Sequence, residues 1–352
     1  MYKFGLIGCG RIGKRHAEIL SSGQVEGAVL SAVCDIDPTR AEAFGHKYRV
    51  PAHHTIEAML ADPSVDVVSI ATPSGLHADH ATAAAVAGRH VVVEKPMALR
   101  LQDADRMIAA CDKAGVKLFV VKQNRFNLPV IKLREAITAG RFGRLVLGTI
   151  RVRWCRDQTY YDGDAWRGTW AQDGGVLANQ ASHHVDLLEW MMGEVDSVFA
   201  RGITALVDVE TEDTAVATIK FRNGALGVIE ATTAARPKDM EGSISILGAL
   251  GAVEIAGFAV NSLRTWQFSE PMPGDDDVKQ KYSVNPPSVY GFGHVAYYAH
   301  VVECLQQRVA ALVDGLEGRK SLELISALYE SMETEREVRL RFSPQHCRLG
   351  NG

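Results

Sequence analysis

The sequence predicts an α/β protein: an N-terminal Rossmann-type, doubly wound parallel sheet, followed by a C-terminal α+β domain with a largely antiparallel open sheet. Three observations predict it. Over residues 1–124 short apolar runs alternate with segments of helical period, as βαβ units do. Gly8-Cys9-Gly10-Arg11-Ile12-Gly13 falls between the first such run and the first helical segment. Past Asn124 strand-like runs follow one another with few helices between them, so residues 125–352 form the second domain, with C-terminal helices free to pack back on the first.

The elements follow in order. Strands are expected at 3–7, 28–34, 65–70, 90–93 and 118–121, each stopped by a nearby Gly, Pro, Asp or Ser. Val65-Asp66-Val67-Val68-Ser69-Ile70 and Val91-Val92-Val93 are near-continuous β-branched runs, as parallel strands buried on both faces require. Helices are expected at 11–21, 39–48, 78–87 and 101–114 from apolar residues at 3.6 spacing. In the second domain strands are expected at 145–152, 195–203, 214–221, 226–231 and 243–247, and helices at 181–192, 295–313 and 322–335. Arg222-Asn223-Gly224-Ala225 is a hairpin signal. Residues 270–287, rich in Pro, Gly and Asp, read as a loop whose Asp275-Asp276-Asp277 run is solvated.

Composition narrows the class. The 352 residues are 47% hydrophobic and 23% charged with a formal net charge of -4, so no strong field draws the chain to nucleic acid or an anionic membrane. Six scattered cysteines without a C-x-x-C pair argue against a structural zinc and a disulfide framework, and no metal is expected. No signal peptide or membrane-length apolar stretch is read, which points to the cytoplasm.

The Gly8, Gly10 and Gly13 turn, with Arg11 and Ile12 opening the helix, allows close backbone approach to a pyrophosphate and offers the helix N-terminus to it. A plain tight turn is the bland alternative; the strand–helix context favours a nucleotide site. Asp35, ending the second strand, is placed for the ribose hydroxyls and would repel a 2′-phosphate, which favours NAD over NADP, although Arg40 lies close enough to offset it. Asp35 could instead cap the next helix, but Asp37 before Pro38 suits that better.

Three further segments carry chemistry: Ala71-Thr72-Pro73-Ser74-Gly75-Leu76-His77, Glu94-Lys95-Pro96, and Gly174-Gly175-Val176-Leu177-Ala178-Asn179-Gln180-Ala181-Ser182-His183-His184-Val185-Asp186. Thr72 and Lys95 follow the carboxyl ends of parallel strands, where ligands bind in open α/β sheets, and a Lys there can stabilise charge on a reacting oxygen; the bland alternative is a solvated Lys paired with Glu94. Asn179, His183 and Asp186, at i, i+4 and i+7, would share a helix face. His184 is the rival to His183 but points elsewhere by register, and a His/His/Asp metal site lacks further clustered ligands.

Together these motifs resemble the glucose–fructose oxidoreductase/inositol dehydrogenase/MocA family over essentially the whole chain. The resemblance implies an NAD-dependent dehydrogenase acting on a CH–OH group. In it Lys95 and His183 are catalytic, His183 takes the hydroxyl proton, and the Lys95–Pro96 bond is cis. Where family members often carry Asp, this sequence has Asn179, which can bond a hydroxyl but not carry a proton. The resemblance also implies Thr72, Pro73, Ser74, His77, Glu94, Lys95 and Gln123 as cofactor contacts.

Arg151-Val152-Arg153-Trp154, Tyr160-Tyr161, Trp166-Arg167-Gly168-Thr169-Trp170 and Thr232-Thr233-Ala234-Ala235-Arg236-Pro237 are similar to one subgroup, the WlbA/WbpB-like enzymes. These oxidise the 3-hydroxyl of UDP-N-acetylglucosaminuronic acid in bacterial surface polysaccharide (O-antigen) synthesis. A UDP-linked uronate carries a diphosphate and a carboxylate. Beside Lys95, Asn179 and His183, the candidate partners are Arg125, Arg153, Arg156, Arg167 and Arg236, with Tyr160 and Tyr161 as neutral donors. Trp154, Trp166 and Trp170 could stack on a ring or simply pack the core. The alternatives are another sugar or inositol dehydrogenase of the family and a non-catalytic sensor. The resemblance also implies a homodimer or homotetramer. It leaves open whether NADH departs or is reoxidised in place by a second substrate such as 2-oxoglutarate.

Overall fold

A computed structural model describes residues 1–283, 292–307, 309–341 and 344–351. It comprises two compact units, Met1–Lys122 with His294–Arg319, and Gln123–Gly293 with Lys320–Gly352. Among the described residues no helix is long and apolar enough to cross a membrane.

In the first unit the chain runs β1 (Tyr2–Ile7), α1 (Arg11–Ser21), β2 (Ala28–Cys34), α2 (Pro38–Tyr48), β3 (Ala52–His53), α3 (Ile56–Ala61), β4 (Val67–Ile70), α4 (His77–Val86), β5 (His90–Val93), α5 (Leu101–Ala114) and β6 (Leu118–Val120). All the strand pairs are parallel, in the order β3-β2-β1-β4-β5-β6. The order reverses between β1 and β4, the switch point of a doubly wound sheet. Val67, Val68, Ile70 and Val91–Val93 are fully buried, which accounts for their unbroken β-branched character. Asp37 caps α2, its carboxylate accepting the Thr39 and Arg40 amides at 2.9 and 3.4 Å. β3 and α3 carry no clear sequence signal at two and six residues. Gly5 on β1 makes room for α3: a Cβ there would sit 2.7 Å from the Met59 sulfur.

The second unit contains α6 (Leu128–Thr138), β7 (Leu145–Arg153), α7 (Gln158–Asp162), α8 (Ser182–Met192), β8 (Val195–Ile203), β9 (Thr214–Phe221), β10 (Leu226–Thr232), β11 (Glu241–Gly248), β12 (Gly251–Ala256), β13 (Ser262–Phe268) and α9 (Asp275–Lys281). After these come α10 (Gly293–Gln307), most of which belongs to the first unit, α11 (Gly315–Thr334), which runs from the first unit's segment into the second's, and β14 (Val338–Arg339). The eight-stranded sheet has the order β13-β12-β11-β7-β10-β9-β8-β14; its pairs are antiparallel except β7 with β10. β9 alternates strictly, with Ala215, Ala217, Ile219 and Phe221 inward and Val216, Thr218 and Lys220 outward. α8 covers the inner face, where Gly148 of β7 lets Leu188 and Met192 approach. Val146, Val216, Leu226, Val228 and Leu247 are exposed, all but Val146 in the outward phase of their strands. The 222–225 hairpin closes with the Phe221 amide donating to Ala225 at 2.9 Å.

Several expectations need correcting here. β12, β13 and β14 were not legible, and β11 is longer than 243–247. The loop expected at 270–287 contains α9, and residues 284–287 lie outside the described residues. Asp275 is not merely solvated: its carboxylate pairs with Arg141 at 2.6 and 2.9 Å and accepts the Trp266 indole at 2.8 Å, and the Arg141 hydrogen bond holds it far below the usual carboxylate range. The helix expected at 295–313 ends at Gln307, residue 308 is outside the described set, and the last helix begins at Gly315 rather than 322.

Candidate functional site

In the first unit each glycine of the turn has its own reason. Gly8 adopts φ +101° and a Cβ there would lie 2.6 Å from the Ala71 carbonyl oxygen; one at Gly13 would strike the Gly8 carbonyl; at Gly10 nothing lies within 4 Å. Gly8 and Gly13 therefore permit strand–helix packing, while Gly10 leaves open space. No side chain caps α1, and a helix start of this kind favours an anion. Arg11 is exposed and Ile12 half-buried at that helix start. Asp35 sits beside the turn, accepting the Cys9 amide at 2.7 Å and the Asp37 amide at 2.9 Å. Arg40 pairs with Asp37 at 3.3 Å, both exposed. These features fit a dinucleotide with free ribose hydroxyls.

At the ends of β4 and β5 the implied contact residues divide. Half-buried Thr72 and Pro73 and buried Ser74 follow β4, and the Thr72 hydroxyl bonds His80 at 3.1 Å. His77 is buried, with its ring nitrogens 2.8 and 2.9 Å from the Pro96 and Thr72 carbonyls, and burial lowers its pKa. Its ring thus ties two strand ends together. The Lys95–Pro96 peptide is cis, and Lys95 is half-buried. Glu94 is buried: one oxygen accepts His16 Nε2 at 2.8 Å and the other the Lys95 amide at 3.0 Å. His16 Nδ1 lies 2.6 Å from the Tyr298 hydroxyl and 3.1 Å from Ser69. His16, Glu94 and His294 bring ligand atoms within 4.8 Å of one another, but a metal between the first two would have to break their direct hydrogen bond.

In the second unit His183 does not share one regular helix with Asn179. Val176–Gln180 forms a π-type turn, closed by the Ala181 amide on the Val176 carbonyl at 2.7 Å, and α8 starts only at Ser182. The regular helical spacing therefore holds for His183 and Asp186, both on α8, and does not extend to Asn179. Gln123 meets His183 Nε2 at 2.9 Å through its amide nitrogen. His184 faces the core, packed on Trp154 and pushed by burial to a pKa of about 4. Asn179 donates to Asp173, whose other oxygen accepts the Gly168 amide at 2.8 Å.

Four of the expected substrate arginines pair with carboxylates of the fold, Arg156 with Asp239 and Arg167 with Asp164 each at 3.0 Å, and Arg125 and Arg153 as follows. Arg125 is buried in a two-bond pair with Asp186, at 2.9 and 2.8 Å, so its guanidinium is committed within the fold. Arg153 alternates with Val152 on β7 and so points away from α8; there it pairs with Glu230 at 2.5 and 2.8 Å. The remaining donors gather around Gln180. Arg156 donates to it at 3.2 Å, and it donates to Tyr160 at 3.0 Å. Arg167 donates to the same Tyr160 hydroxyl at 2.7 Å and stacks 4.5 Å over the Trp166 ring. Arg236 donates to the Thr233 and Arg156 carbonyls, and Tyr161 meets Thr233 at 3.1 Å. Burial pushes the Tyr161 phenol up to about 12, leaving it a neutral donor. Trp154 and Trp170 are buried, as core packing requires. Sequence alone assigns no role to Gln180, which stands inside the motif that carries His183, or to Asp173, which immediately precedes it.

A glycine turn of this build, at the switch point of a doubly wound sheet, defines a dinucleotide-binding protein. Residues 2–122 match the NAD-binding Rossmann domain of the glucose–fructose oxidoreductase/inositol dehydrogenase/MocA family, and residues 134–340 match the family's C-terminal α/β domain. The chain belongs to this family. Among its relatives, myo-inositol 2-dehydrogenase of Thermotoga maritima is 31% identical over 96% of this chain and 98% of its own. The WlbA dehydrogenase of Bordetella pertussis, solved with NADH and UDP-GlcNAcA, is 45% identical with a TM-score of 0.93, covering 97% of this chain and 98% of that one. The Chromobacterium violaceum WlbA dehydrogenase, solved with the same two ligands, is 43% identical with a TM-score of 0.91, covering 97% and 96%.

Proposed function

We propose that the protein oxidises the 3-hydroxyl of UDP-N-acetylglucosaminuronic acid to the 3-keto sugar with NAD. The observation that carries this reading is the 45% identity, over 97% of the chain, to a dehydrogenase solved with NADH and that sugar nucleotide. The cluster of Arg156, Arg167, Arg236 and Tyr160 around Gln180 supports it, because a diphosphate and a carboxylate need several cationic and neutral donors.

His183 takes the hydroxyl proton, and Lys95 meets the negative charge growing on that oxygen. Gln123 holds the His183 ring, and Asn179 bonds a sugar hydroxyl without carrying a proton. The glycine turn and Asp35 would hold NAD, which when bound would supply the hydride acceptor for the carbinol carbon. The open sheet face with its exposed apolar side chains supports a homodimer or homotetramer, and the six free cysteines suit the cytoplasm. The product belongs to surface polysaccharide (O-antigen) sugar synthesis.

Substrate carrying deuterium at C3 tests the reading: deuterium must appear in the reduced cofactor and a 3-keto sugar must form. Unlabelled reduced cofactor would reject the 3-position. The 31% identity to a myo-inositol dehydrogenase favours a second reading, oxidation of a free polyol, which turnover of myo-inositol without the sugar nucleotide would establish. Adding 2-oxoglutarate to a single-turnover reaction decides whether the hydride is passed on in place.

A further inference from the structure

We propose that Glu212 is a positioning residue: its carboxyl fixes the start of the Val176–Gln180 turn and, through that turn, the placement of Asn179 and His183. The inference rests on the reading of those two residues as part of the dehydrogenase site.

Glu212 holds the turn twice. Its main-chain carbonyl accepts the Val176 amide at 2.9 Å, and its side-chain Oε1 accepts the Leu177 amide at 3.0 Å. Two of the N–H groups that a helical turn leaves open at its start are thereby satisfied by one residue. Tyr329, from α11, completes the clamp: its hydroxyl donates to the same Oε1 at 2.9 Å and accepts the Gly175 amide at 3.0 Å. Gly175 has no side chain for a reason, since a Cβ there would run into the Glu212 carboxyl. The other oxygen, Oε2, is buried against this glycine without a hydrogen-bond partner. A π-type turn is a strained, infrequent geometry, and here a buried carboxyl meets its first amides.

The surroundings also make the carboxyl titratable. Among the described residues, the ionisable groups that act on it most are Tyr329 from α11 and Asp173 from the loop before the turn. Burial raises its pKa to about 7. Below that pH the neutral acid sits in the clamp. Above it Oε1 accepts the Leu177 amide and the Tyr329 hydroxyl more strongly, while the buried, unpartnered Oε2 carries charge near Asp173, and that repulsion bears on the turn.

The test compares the parent with Glu212→Gln and Glu212→Ala, following kcat and KM for NAD reduction by UDP-N-acetylglucosaminuronic acid across pH. Glutamine keeps the oxygen acceptor and cannot ionise. Glu212→Ala is expected to lose about 10²-fold in kcat, the cost of a misplacement near 1 Å, with unchanged NAD affinity. Glu212→Gln is expected to stay within about threefold of the parent at pH 6 and to lack the parent's decline above pH 7. In parallel, the His183 imidazole ¹H–¹⁵N signal, assigned by its loss in His183→Asn, shifts in Glu212→Ala and not in Glu212→Gln. Parent-like kcat and an unmoved His183 signal in Glu212→Ala would overturn the proposal, as would one shared alkaline limb in Glu212→Gln and the parent. If Glu212→Ala does not fold, the Glu212→Gln arms decide. An inactive parent counts against the substrate reading alone, because the His183 signal still reports on Glu212.

Discussion

Glu94 of the first unit and Glu212 of the second are equally buried, each 6% exposed, and each lies next to residues implied in the chemistry. Burial raises the pKa of both, yet they end on opposite sides of neutrality. For Glu94 that rise is overcome by the His16 hydrogen bond and by the charges of His16, His294 and Lys95, and its pKa falls to about 2. Glu212 has amides, a phenol and a second carboxylate as its neighbours, so its pKa stays at about 7. The first unit therefore ties Glu94 and the Lys95 backbone together with a permanent ion, whereas the second holds its turn with a group that titrates in the working range.

The largest effects should come from outside both glutamates. Lys95→Ala and His183→Ala are each expected to lower kcat by about 10²–10⁴-fold while leaving the unfolding midpoint near the parent's. A loss of similar size in Glu94→Gln with the fold intact would break the comparison, because it would place chemistry on the static ion. Next comes the buried pair. His16→Ala removes one hydrogen bond from the buried Glu94 carboxylate, and should cost about 1–3 kcal/mol in denaturant unfolding at pH 7. A cost below about 0.5 kcal/mol would mean that this bond does not hold Glu94.

Opposite pH dependences sharpen the contrast. The Glu212 pKa in the folded chain lies above the ordinary 4.5, so its stability contribution is full below about 4.5 and is lost as pH rises through about 7. Glu212→Gln should therefore gain on the parent between pH 5 and 8, by about 3 kcal/mol as an order of magnitude. Glu94 behaves in reverse: its contribution is present above about 4.5 and is lost as pH falls through about 2. Equal pH profiles for Glu212→Gln and the parent would remove the contrast. The smallest effect expected is on cofactor choice, where Asp35→Asn should narrow the preference for NAD over NADP about tenfold, read from the two Kd values.

What could be read from sequence was what is local. Gly8 and Gly13 act through backbone geometry within one βαβ unit, the Asp35 carboxylate accepts the Cys9 amide of the same turn, and the β2 and β5 spans match residue for residue. Arginine roles were not local. Arg125 and Arg153 find their carboxylates 61 and 77 residues away, and nothing in their own segments announces Asp186 or Glu230. The phase of Asn179 against His183 failed because one π-type turn adds a residue that a 3.6 period does not contain. Glu212 stands in Thr211-Glu212-Asp213 just before a strand; only the packing of Gly175 and Tyr329 against it reveals its place.

The most direct measurement is absorbance in the NADH band when protein and NAD receive UDP-N-acetylglucosaminuronic acid, UDP-N-acetylglucosamine or myo-inositol, each with and without 2-oxoglutarate. The account predicts reduction with the uronate alone, lost in Lys95→Ala and in His183→Ala. Reduction by myo-inositol, with none from the sugar nucleotide, would contradict it.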